Sequence, residues 1–118
     1  MIPESRHQRF IQFPIATRLG HLATNLARIS SFVKIPGNNA TFGVLEESRA
    51  FIEWCAPDLL ADRVDDAAQL VDIQRELTRW YWIWNKAQND PVQRAQLAEQ
   101  AQAWSDQVLE MSGLLNEE

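Results

Sequence analysis

Residues 75–86 read Arg-Glu-Leu-Thr-Arg-Trp-Tyr-Trp-Ile-Trp-Asn-Lys and hold three of the chain's five tryptophans. As a strand, this stretch would set Trp80, Trp82 and Trp84 on one face and Tyr81 and Ile83 on the other. The residues upstream argue against that. Leu70, Ile73, Leu77, Trp80 and Trp84 recur at steps of three and four, the rhythm of a buried helix face. The rest of the chain offers no strand to pair with. The stretch reads as helix, and the fold as all-α.

With about 100° between successive residues, Leu70, Ile73, Leu77, Trp80, Tyr81 and Trp84 share one side of that helix. Trp82 falls roughly opposite, among Arg75, Thr78, Arg79 and Lys86, with Val71 a few turns earlier. Leu60, Val64 and Ala67 extend this second stripe toward the N-terminus. A helix with two apolar stripes must cover both, and three shorter neighbours do not readily do so. The second stripe is therefore expected to meet another molecule, either a second copy in a homodimer or a protein partner. Its candidate contact residues are Val64, Val71, Arg75, Arg79, Trp82 and Lys86. The competing expectation is a surface Trp82 covered by the stems of Arg79 and Lys86.

Working outward, three more helices emerge. One spans about 14–34, where Ile15, Leu19, Leu22, Leu26, Ile29 and Val33 alternate steps of four and three. Ala16, Gly20, Ala23 and Ala27 form a small-residue strip beside that seam, suited to close approach of another backbone. A Pro-Gly-Asn-Asn loop at 36–39 follows. The second helix, about 42–55, shows Val44, Ser48, Phe51, Ile52 and Cys55 on one face, and Pro57 is expected to break or sharply kink the chain. The tryptophan-bearing third helix then runs from about 57 to 87. Asp90-Pro91 pairs an N-cap with a proline in the first turn. The last helix carries Leu97, Ala101, Trp104, Val108, Met111 and Leu115, with Gly113 at its C-cap. Residues 1–12 are an arm or a short helix. The architecture expected is one domain over residues 1–118, an antiparallel four-helix bundle whose third helix is longest. Leu22, Leu26, Leu77, Trp84, Leu97, Trp104 and Val108 are its expected core.

At 118 residues with 46% apolar and 23% charged content, the chain has the composition of one globular domain. The single Cys55 excludes an internal disulfide. With no leader-like N-terminus, that suits a cytoplasmic protein. No apolar run approaches the roughly 20 residues of a membrane span. The net charge of −5 is unevenly shared. Residues 1–43 carry five Arg or Lys against one acid, and residues 44–118 six against fifteen. The acidic balance disfavours nucleic acid as a partner.

Little in the chain suggests chemistry. His7 and His21 lack the second His, Cys or carboxylate at ligand spacing that zinc requires. Neither a metal nor a cofactor is expected. Cys55 lies on an apolar face and reads as core. The Glu-Glu-x-x-Glu pattern with which all-helical pyrophosphohydrolases hold magnesium would begin at Glu46-Glu47, but Ala50 stands at its third acidic position. Asp62 and Asp66, four apart, remain an acidic pair that a hard cation would suit. Arg18, His21 and Arg28 share one side of the first helix with Asn25 and are the candidate anion-binding set. The leading expectation is a non-enzymatic assembly or docking module. A ligand binder with a Trp-lined pocket between the last two helices comes next, and a magnesium-dependent hydrolase last.

Overall fold

Five α-helices and one closing turn account for 82% of the structure, a computed structural model that describes residues 2–116. Met1, Glu117 and Glu118 of the expected domain lie outside the described residues. The helices are α1 (Glu4–Ile11), α2 (Ile15–Phe32), α3 (Ala40–Leu59), α4 (Val64–Ala87) and α5 (Pro91–Ser112), followed by a 3-10 turn at Leu114–Asn116. Among the described residues there is no strand.

The all-α class holds, and α4 is the longest helix at 24 residues. The count of four is not confirmed, because residues 4–11, within the stretch expected as an arm or a short helix, form a fifth helix. Eight residues are too few to be stable alone. Phe10 holds α1 in place: it is 4% exposed and stacks on Phe51 of α3 with ring centroids 4.3 Å apart. His7 stacks on Trp54 at 4.7 Å, and Arg6 pairs with Glu47.

Pro57 does not end α3, which continues to Leu59. The proline removes one backbone donor from a turn that finishes two residues later. Cys55 and Leu59 are fully packed on either side of it, so burial outweighs that loss. The break comes at residues 60–63 instead, and α4 starts seven residues later than the proline implied. Asp62 therefore sits in the turn and shares no helix face with Asp66. Asp66 is occupied by Arg63, whose Nε donates to it at 2.7 Å.

Adjacent long helices run antiparallel. Ser30 and Ser105 each donate a hydroxyl across the α2–α5 contact, to the carbonyls of Ala98 and Ala23, both at 2.8 Å. The small-residue strip thus receives α5. Gly20 also receives the chain's last turn, since a Cβ there would lie 2.8 Å from Leu114 Cδ1. Asn25 of α2 bonds Glu47 of α3 at 2.8 Å, and Arg49 of α3 bonds Thr78 of α4 at 3.0 Å. Trp80 of α4 reaches Gln100 of α5 through its indole N–H at 2.9 Å. α5 is capped as its sequence implies. Asp90 accepts from the Val92 amide at 2.9 Å, and Gly113 takes the left-handed conformation at φ 77°.

Leu22, Leu26, Leu77, Trp84, Leu97 and Val108 are buried. Trp104 is a correction, packed against the core but partly exposed. Leu45, fully buried on α3, was missed because Val44 beside it fits the face equally well.

Candidate functional site

Two surfaces collect the residues singled out by the sequence. The first is the outer face of α4. Packing against α3 and α5 consumes the side that carries Leu70, Leu77, Trp80 and Trp84. The opposite side is left open: Val64 is 59% exposed, Val71 42% and Trp82 73%. Arg75, Arg79 and Lys86 are exposed around them. The stripe is shorter than expected at its start. Leu60 is exposed but belongs to the turn before α4, and Ala67 faces the core. Ala68, exposed and one turn after Val64, takes its place.

The stem-covered surface tryptophan is not what is found at Trp82. The Arg79 guanidinium lies over the ring of Trp80, 4.7 Å from its centroid. The ring contact of Trp82 is the edge of Tyr81 at 5.5 Å. Trp80 and Trp84, in contrast, are buried, at 1% and 3% exposed. The outer face also has an ordered charge pattern. Asp65, Asp72, Arg79 and Lys86 recur every seven residues along one flank. Its first half is acidic and its second half basic. Asp72 holds Arg75 at 3.6 Å and Glu76 holds Arg79 at 3.3 Å, both as exposed pairs.

The second surface comes from the basic side of α2, and here the sequence-based set divides. Arg18 turns inward. Its Nε donates to the Phe13 carbonyl at 3.0 Å, and its Nη1 to the Trp54 carbonyl at 3.2 Å and to Asp58 at 2.7 Å. It is buried, ties α2 to the last turn of α3, and does not line the cavity that His21 and Arg28 share. His21 and Arg28 line a cavity of about 480 Å³ between α1, α2 and α3. Arg6, Arg9, Phe10, Phe13, Asn25 and Glu47 join them there. Sequence reasoning missed Arg6 and Arg9, because nothing local says that α1 folds back over α2.

Glu47 is the acid in this cavity, and it accepts from both Arg6 and Asn25. It is spent on structure, as is Asp66. Among the described residues no three His, Cys, Asp or Glu side chains come together as a metal site. Cys55 is buried, and burial pushes its thiol up to about 12, with Arg18 pulling it down and Asp58 pushing it up. No described helix is long and apolar enough to cross a membrane. Comparison with known protein families, curated proteins and solved structures finds no match to this chain.

Proposed function

We propose that the protein is a non-enzymatic assembly module in which α2–α5 form the bundle, α1 is strapped across it, and the outer face of α4 binds a second copy. The observation that carries this reading is Trp82, 73% exposed on the same face as exposed Val64 and Val71. Tryptophan is the side chain with most to gain from burial at an interface. Among the described residues its ring contact is the edge of Tyr81.

The charge pattern favours a second copy in antiparallel orientation. In an antiparallel pair related by a two-fold axis, each flank of a helix meets the same flank of its partner. Asp65 would then lie opposite the partner copy's basic end at Lys86, and Asp72 opposite Arg79. Arg75 would fall beside Glu76 near the axis. Trp82 would reach the small and branched side chains at Ala68 and Val71. A parallel pair would instead set this flank against the opposite flank of the partner copy. The other flank of α4 is already taken by α3, through Gln74 and Thr78. A buried, free thiol suits the reducing cytoplasm as the setting.

Sedimentation of the wild type and Trp82→Ala at micromolar concentration tests the reading. The wild type should sediment as a dimer. Truncating an aromatic anchor costs about 2 kcal/mol or more, which at about 1.4 kcal/mol per decade weakens the dimer more than tenfold. A wild type that stays monomeric, or a variant that dimerises unchanged, overturns it.

A further inference from the structure

We infer that the cavity between α1, α2 and α3 binds a small phosphate monoester carried on an aromatic ring. This site shares no residue with the α4 face, so it stands or falls independently of the assembly reading.

The cavity's charge favours an anion. Arg6, Arg9 and Arg28 line the cavity against the single carboxylate of Glu47. Glu47 is satisfied by Arg6 on one oxygen and by the Asn25 amide on the other. Arg9 and Arg28 have no carboxylate partner among the described residues. Elsewhere Arg18, Arg63, Arg75 and Arg79 sit against an acid, and Arg49 and Arg94 donate to the Thr78 hydroxyl and the Gln88 carbonyl. Two uncompensated guanidinium groups facing one cavity, in a chain of net charge −5, are a local inversion of the molecule's field. Arg28 is also aimed. Its Nη1 donates to Oδ1 of Asn25 at 3.2 Å, and Asn25 is itself buried and held by Glu47 at 2.8 Å. That leaves the remaining N–H groups of Arg28, and those of Arg9, for an incoming anion. Two guanidinium forks match the charge and the oxygens of a phosphate dianion better than a single carboxylate.

The ring comes from the cavity's other wall. Phe10 and Phe51 stack there at 4.3 Å, and Phe13 meets the edge of His21 at 5.2 Å. Phe13 is half-exposed, so its ring is open to a further aromatic contact. The volume of about 480 Å³ falls within the size range of small-molecule sites, roughly 300–1,000 Å³.

Calorimetric titration with phenyl phosphate, inorganic phosphate and benzoate tests this on the full chain. Phenyl phosphate should bind saturably, one per chain, with Kd below about 1 mM. Inorganic phosphate, lacking the ring, and benzoate, with a single charge, should each bind at least tenfold more weakly. Arg9→Gln and Arg28→Gln change exposed residues and should keep the helical circular dichroism of the wild type. Each should weaken phenyl phosphate binding at least tenfold, while Lys34→Gln, on the surface beyond the cavity, leaves it unchanged. Absence of saturable binding with Kd below about 1 mM, equal affinity for inorganic phosphate, or indifference to both cavity variants overturns the inference.

Discussion

Cys55 shows how one side chain's surroundings become a measurable property. The thiol is fully enclosed on α3, and burial pushes it up to about 12 from an ordinary 9.0. Below pH 9 both the folded and the unfolded chain keep this proton. Between about 9 and 12 the unfolded chain releases it and the folded chain does not, so stability present below 9 is lost as pH rises. The loss is at most about 1.4 kcal/mol per pH unit. Urea unfolding at pH 8 and pH 10 checks this against Cys55→Ala. The wild type's advantage over the variant should shrink by about 1 kcal/mol at the higher pH. An advantage that stays constant would show that the thiolate is accommodated in the fold. At the same scale, Arg18 marks a limit of reading by residue type. Position and charge grouped it with His21 and Arg28, but its partners, Asp58 and the Trp54 carbonyl, lie across a helix contact about 40 residues away in sequence.

Helices were legible where their apolar spacing was long and regular. The seam Leu19, Leu22, Leu26 and Ile29 of α2 and the seam Leu70, Ile73, Leu77, Trp80 and Trp84 of α4 are all buried. Such faces are set by local spacing, which a single sequence displays. Leu26→Ala and Leu77→Ala should each lower the free energy of unfolding by about 2–5 kcal/mol. Chemical denaturation measures this, and losses below about 0.5 kcal/mol at both positions, the range of neutral surface changes, would mean the seams do not pack as described. What was not legible depended on tertiary contact. α1 exists because Phe10 finds Phe51, and α3 passes through Pro57 because Cys55 and Leu59 are packed. The division of the α2 basic side into an internal tie and a cavity wall followed from both of those contacts.

For the whole molecule, the decisive feature is a long helix that spends one face on its own chain and keeps the other open. α4 packs between α3 and α5 with Trp80 and Trp84 inside, and carries Val64, Val71 and Trp82 outside. The second stripe was visible in the sequence as the residue opposite the core face. Its charge order, acidic then basic every seven residues, became meaningful only once that flank proved open. In the proposed dimer this face pairs with itself, antiparallel. Charge reversal tests that orientation directly. Asp65 and Lys86 are exposed, so changing them leaves the core untouched. Asp65→Lys sets like charges against Lys86 of the second copy, and Lys86→Glu does the same against Asp65. Sedimentation equilibrium of the four proteins is the measurement. The expected masses are twice the chain mass of 13.6 kDa for the wild type, a shift toward that single-chain mass for each reversal, and the doubled mass restored when both reversals are combined in one chain. One mass for all four proteins, or a double variant weaker than either single reversal, would contradict that pairing.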